Sequence, residues 1–397
     1  MFSSARNTFY TFLILSIGIV IFGDVMVFSA AQVTGLTDSG SSFAISWKQF
    51  FVTLVGIPAA LLAAKLPLKS AKYLARKGLI LAIAIMSLLI PFGITINGNT
   101  NWISFGGIEF QPSEFAKVAL IIWAAYVIEK YLKNPKLIFT ILFTGFAIIL
   151  AIVIFGQDLG SAVVMGLILG ALLFLSGAAL SRIALLGGFG FFAVAVLILA
   201  QPYRIARFTA FLHPFAEDIY KNAGWQPAHS LMALASGGFF GAGLGASKQK
   251  WGNLAEAHTD FIFAVIGEEL GLFGTISILV ALSLLVYAIF KISLTTNDIF
   301  SRYVGLGIGS WIAIQSIINL ASATSLIPVV GVTLPFISYG GSSLLALMSA
   351  LGFIGGIALR NPEVANSIRF NLNFKRNLKP SNQPNIDDDD SVRRAKR

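Results

Sequence analysis

Apolar runs separated by short polar clusters recur along the whole chain. Ten of them are long enough to cross the ~30 Å hydrocarbon layer as helices, at residues 11–31, 46–64, 78–96, 114–132, 137–155, 160–177, 182–200, 264–290, 303–326 and 342–360. The pattern predicts an all-α polytopic membrane protein with ten transmembrane helices and both termini on one side. A single long connection, 201–261, separates the seventh and eighth helices. Loops beyond ~15 residues are usually functional or disordered. This one carries Trp225, Trp251 and many Phe, Leu and Gly, so an ordered segment is expected. Its stretch AHSLMALASGGFF (228–240) is apolar enough to re-enter or lie on a bilayer, where non-helical backbone must be buried in protein or line a wet cavity.

Composition agrees with that pattern: of 397 residues, 56% are hydrophobic and only 12% charged, and the mean hydropathy is +0.81. The few basic residues give the orientation, because Lys and Arg resist translocation. Lys65, Lys69, Lys72, Arg76 and Lys77 follow the second span; Lys130, Lys133 and Lys136 follow the fourth; Arg182, Lys291 and Arg302 mark later loops on the same side. The loops 32–45, 97–113, 156–159 and 327–341 contain no Lys or Arg. Both termini are therefore expected in the cytoplasm and the 201–261 loop outside it. A membrane domain is expected over 1–370, with a disordered cytoplasmic tail over 371–397 that ends in Asp387 to Asp390 and a basic cluster.

Topology and anionic inner-leaflet lipid account for most of the net charge of +10, so the charge does not point to nucleic acid. With no cysteine, there is neither a disulfide framework nor thiol chemistry. The first span, which ends at Ser29-Ala30-Ala31, is read as an uncleaved helix because its apolar run is too long for a signal peptide.

Charges inside spans are costly and point to function. They are Asp24, Glu114 with Lys117, Asp158, and the Glu268-Glu269 pair. Glu114 and Lys117 share a helix face behind Gln111-Pro112-Ser113, a helix-start signature with Ser113 as expected N-cap. They form either a structural ion pair or part of a polar cavity lining. His213, His229 and His258 lie in the long loop at spacings that match no metal motif, so no metal site is assigned. Gly241-Ala242-Gly243-Leu244-Gly245 is read as tight turning rather than a nucleotide loop. Asp260 stands at the mouth of the eighth span, followed by Phe261-Ile262-Phe263. Apolar neighbours raise a carboxylate's pKa toward that of a general base. The competing role for Asp260 is an N-cap of the eighth helix.

At these residues the chain resembles the SEDS family of cell-wall polymerases (shape, elongation, division and sporulation), and its division branch more than its elongation branch. The matching blocks are FQPSEFAK (110–117), DLGS (158–161), YRIARF (203–208) through AGWQPAHSLMALASGGFFGAGLGASKQK (223–250), AEAHTDFIFAVIGEELG (255–271) and GVTLPFISYGGSSL (331–344). The resemblance implies a lipid II glycosyltransferase that makes glycan strands on the outer face of the bacterial cytoplasmic membrane at the division septum. The expected partners are the lipid-linked strand, a class B penicillin-binding protein transpeptidase and other divisome membrane proteins. It further implies that Asp260 is the catalytic carboxylate. Gly156-Gln157, Asn101, Ala321, Ser325 and Val330 depart from the family's usual residues and bear on loop shape, not on class.

The implied chemistry fits the residues. Joining a sugar hydroxyl to an anomeric carbon that leaves a lipid pyrophosphate needs a base and cations, but no general acid, because pyrophosphate leaves as an anion. Arg204 and Arg207 are the first cation candidates, their planar forks suiting phosphate oxygens. Lys248, Lys250 and Lys117 come next, and Glu114, Asp158, Gln226 and Ser342 complete the candidate substrate-binding set. Glu256 is expected to tune Asp260, and Glu268-Glu269 to pair or hydrogen-bond within the bundle. No cofactor is called for, and a divalent cation at the pyrophosphate is compatible with the sequence. The rival readings are an elongation-type polymerase of the same family, a lipid II flippase and a silent scaffold.

Overall fold

The computed structural model describes residues 4–96, 99–106, 108–199 and 202–367. Helix α1 (Ala5–Ala30) leads through α2 (Gln32–Ser39) to α3 (Ala44–Lys65) and α4 (Leu68–Ser87). The expected third span ends early: after α5 (Leu89–Phe92) the chain turns into strands β1 (Ile94–Ile96), β2 (Asn99–Phe105) and β3 (Ile108–Phe110). These strands pair antiparallel in the order β1-β2-β3, a small sheet within the otherwise helical fold. Helices α6 (Pro112–Tyr131), α7 (Pro135–Phe155), α8 (Leu159–Leu175) and α9 (Leu180–Leu199) follow. The long connection folds into α10 (Pro202–Leu212), α11 (Glu217–Tyr220) and α12 (Trp225–Ser236). Helices α13 (Ile262–Thr295), α14 (Ile299–Ala323) and α15 (Gly341–Leu359) complete the bundle.

Among the described residues, eight helical segments are long and apolar enough to cross a membrane. The two other expected spans coincide with α8, which is apolar but 17 residues long, and with α6, which carries Glu114, Lys117, Glu129 and Lys130. The chain is an all-α polytopic membrane protein. Large apolar side chains such as Leu62, Phe155 and Phe191 stand at least 70% exposed, as a lipid-facing surface requires. The expected tail, 371–397, lies outside the described residues.

Local chemistry sets the helix ends. Asn134 caps α7, accepting from Leu137 N at 3.2 Å, and Asp298 caps α14, accepting from Ser301 N at 2.8 Å. On α6 the expected Ser113 cap is displaced by two positions. Gln111 holds the extended cap position and Pro112 opens the helix, where its missing N–H removes no intrahelical bond. Close approach replaces hydrophobic driving force between membrane helices. On α15, a Cβ at Gly352 would lie 2.0 Å from Ala60 O and one at Gly356 2.3 Å from Ala64 O, so this pair lets α15 lie directly on α3.

Helix α13 is broken. Gly271 adopts φ 66° and ψ −162°, and the loop after α12 inserts at the break. Ala242 N and Gly243 N donate to Glu268 O (2.9 Å) and Glu269 O (3.0 Å). In turn, Leu272 N and Phe273 N donate to Gly238 O (2.9 Å) and Phe239 O (3.1 Å). Four backbone groups that a kink would strand at membrane depth are thus satisfied by another segment. The 228–240 stretch divides accordingly into a helix and a docked loop, and the glycines at 241, 243 and 245 serve turning, as expected.

Candidate functional site

The segment 256–261 is a tight turn fixed from both sides. Glu256, at φ 56°, turns the chain so that its carbonyl accepts from Thr259 N (3.2 Å) and Phe261 N (3.1 Å). Its carboxylate accepts from Thr259 Oγ1 at 2.7 Å. Three successive carbonyls are then gripped from outside the turn. Tyr339 N donates to His258 O at 2.9 Å, Ser338 Oγ donates to Thr259 O, and Asn319 Nδ2 donates to Asp260 O at 2.9 Å. The α14–α15 connection and α14 itself therefore hold Asp260 on the bundle.

The capping role is not taken by Asp260. Helix α13 begins at Ile262 with Phe261 in the cap position and no side-chain cap bond. The Asp260 carboxyl, part-exposed yet surrounded by protein, is pushed up to about 7. Burial is the main cause, the negative charges of Glu256 and Asp158 add to it, and the Arg207 guanidinium opposes it. Glu256, Arg207 and Asp158 thus all act on Asp260.

The remaining candidates divide into groups. Arg207 projects from α10 on an exposed face. Arg204, three residues before it, is buried and donates to Leu197 O at 2.9 Å, an anchor between α10 and α9. Asp158 caps α8 through Ser161 N (3.0 Å) and accepts from Asn101 Nδ2 of β2 (2.8 Å), so it ties the sheet to the bundle. Lys117 is enclosed. Its ammonium donates to Glu114 Oε1 (2.7 Å) and Gln315 Oε1 (3.0 Å) and sits 5.0 Å from the Trp311 ring centroid. Ser342 is buried and accepts from Gln111 N at 2.9 Å, joining α15 to the start of α6. Gln226 is part-exposed in the first turn of α12, and Lys248 is exposed.

Lys250 departs most from its expected place. Its side chain is fully enclosed, and its ammonium donates to Glu269 Oε1 at 2.9 Å and to Ser29 O and Oγ at 3.1 Å. Of the Glu268-Glu269 couple, Glu269 forms an ion pair and Glu268 is hydrogen-bonded, and the ion pair is what holds Lys250 away from a phosphate-binding position. Glu268 accepts from Ser247 Oγ and from Lys248 N at 2.9 Å.

Sequence reasoning missed the amides of α14. Gln315 Nε2 donates to Thr333 O at 3.1 Å, while Asn319 Nδ2 donates to Val332 O at 2.7 Å as well as to Asp260 O. One helical turn apart, they line one face of α14 and grip consecutive carbonyls of the connection that cradles Asp260. Two amides four apart in an apolar span were the available signal. The three histidines do not converge on one site: His229 bonds Tyr220 OH (3.2 Å) and Gln249 Oε1 (2.7 Å), and His213 is exposed. Among the described residues, no three His, Asp or Glu side chains cluster to hold a metal ion.

Residues 9–362 match the family model described as cell cycle protein, that of FtsW, RodA and SpoVE. The chain is 39% identical to the "Probable peptidoglycan glycosyltransferase FtsW" of Bacillus subtilis, an alignment covering 85% of this chain and 87% of that protein. It is 36% identical to the stage V sporulation protein E of the same organism, over 87% of this chain and 93% of the other. Its fold is similar to a chain from a structure of a peptidoglycan synthase complex that coordinates polymerization and crosslinking. The TM-score is 0.68 and the identity 25%, over 88% of this chain and 97% of that one. The chain therefore belongs to the FtsW, RodA and SpoVE family of cell cycle proteins.

Proposed function

We propose that the chain is a peptidoglycan glycosyltransferase that polymerises lipid II on the outer face of the cytoplasmic membrane during septal wall synthesis. The observation that carries the reading is Asp260: a carboxyl held by its backbone, not used as a cap, and pushed up to about 7 within the field of Arg207. A base of that pKa accepts a proton at working pH without being wholly protonated beforehand. Asp260 takes the proton of the attacking sugar hydroxyl as its oxygen bonds the anomeric carbon. The bond from that carbon to the pyrophosphate oxygen breaks on the opposite face, so configuration inverts. The pyrophosphate departs as an anion toward Arg207.

Of the five expected cations, Arg207 is the one whose charge acts on Asp260. Lys117 and Lys250 are held in buried ion pairs and Arg204 in a backbone anchor. The basic loops support cytoplasmic termini, and with them an external Asp260. The identity to FtsW and the similarity to a synthase complex support the division branch and a class B penicillin-binding protein partner. Further divisome partners belong to the same proposal.

The purified chain, with and without its transpeptidase, is to be incubated with lipid II and the glycan products resolved by length. Polymer from the parent and none from Asp260→Asn is expected. Polymer from a folded Asp260→Asn variant, or lipid II translocated across vesicles without polymer, would overturn the reading.

A further inference from the structure

Resting on that reading, we propose that Asn319 and Ser338 are positioning residues: together they clamp the backbone beneath Asp260 and set the direction in which its carboxyl points. Asn319 is 1% exposed and uses both amide protons, one on Asp260 O at 2.9 Å and the other on Val332 O at 2.7 Å. Its own Oδ1 is buried with no partner. That asymmetry fixes the amide's sense, because a flip would set an oxygen against two carbonyl oxygens. The lone unmet acceptor is tolerated where two donors are needed.

Ser338 repeats the device one residue away. Its hydroxyl donates to Thr259 O while its oxygen accepts from Leu334 N at 2.8 Å. Both grips come from the 332–339 segment or the helix that holds it, so the turn bearing Asp260 and the wall beside it move as one piece. The wall is close: a Cβ on Gly331 would stand 3.6 Å from Asp260 Oδ2. The clamp continues inward, since Gln315 holds the neighbouring Thr333 O and itself accepts from Lys117. The enclosed Glu114–Lys117 pair is thereby linked to the backbone of Asp260 through Gln315, the Val332–Thr333 backbone and Asn319, without touching it.

A positioning role predicts a loss confined to turnover. Misplacing a reacting group by about 1 Å costs on the order of 100-fold. Asn319→Leu keeps the volume and removes both donors; Ser338→Ala removes one, and Ser338→Thr restores the hydroxyl. Each variant, purified with the transpeptidase, is assayed on lipid II for kcat, KM and the acid limb of the pH profile. That limb reports Asp260 among Glu256, Asp158 and Arg207, with His258 and Tyr339 as the other titratable groups on the packed elements. Asn319→Leu should lower kcat by roughly 10- to 100-fold with KM unchanged and the acid limb displaced. Ser338→Ala should do the same to a smaller degree, and Ser338→Thr should recover the parental rate. If Asn319→Leu does not fold, the Ser338 pair decides alone. Parental kcat and pH profile in Ser338→Ala overturn the clamp, as do equal losses in Ser338→Ala and Ser338→Thr. Asp260→Asn run in parallel separates the two claims: its activity would defeat the base, whereas its inactivity beside unaffected clamp variants defeats only this inference.

Discussion

Between Thr259 and Phe261 the chain keeps a carboxyl that burial and two acidic neighbours hold near pKa 7, against the usual value of 3.8. The raised value has opposite consequences for rate and stability. Turnover should rise with pH through about 7 as the base deprotonates. Folding takes up a proton between 3.8 and about 7, so the penalty this residue places on stability grows as pH rises through that window and is absent below it. Asp260→Asn, a neutral mimic, should therefore be inactive yet melt higher than the parent at pH 8, with no difference at pH 3. Partial exposure moderates the gain. Melting curves at both pH values check the sign. Arg207 carries the second prediction at this scale. Arg207→Gln should lower the rate roughly 100-fold, with Lys rescuing in part because an ammonium lacks the planar fork. Arg204→Gln should chiefly lower the melting temperature, since its guanidinium anchors a helix end. A parental rate in Arg207→Gln would remove it from the site. Sequence could name both arginines as candidates but could not tell them apart; a carbonyl seven residues back claims one of them.

At the scale of elements, the buried ion pair offers the sharpest test. Lys250→Met leaves the Glu269 carboxylate enclosed without its cation, a change that costs about 3–5 kcal/mol in comparable settings. Adding Glu269→Gln should recover much of the loss. A Lys250→Met variant that melts with the parent would show the pair to be dispensable. Eight of the ten expected spans were legible because apolar length alone dictates them, and the partnered state of Glu268-Glu269 followed from the cost of buried charge. The identity of Glu269's partner was not legible, since Ser29, Lys250 and Glu269 meet from three distant stretches. Nor was the sheet at 94–110, whose three-residue outer strands leave no periodicity to read. The break in α13 was hidden for a related reason: glycine is common in membrane helices, and only the docking of 237–243 distinguishes Gly271 from a packing glycine.

For the whole molecule, the distribution of Lys and Arg makes a prediction that single cysteines in this cysteine-free chain can check. In intact cells an impermeant thiol reagent should label a cysteine at Lys221 and spare one at Lys69. The reverse pattern would place Asp260 on the wrong side for lipid-linked wall chemistry. The broken helix bears on how such a molecule is made. Synthesis runs from the N-terminus, so residues 237–243 leave the ribosome before 268–273. The backbone partners of the break are therefore synthesised before the part of α13 that needs them. The interrupted helix need not wait in lipid with bare amides, and the order of translation itself serves as the assembly order for this part of the fold.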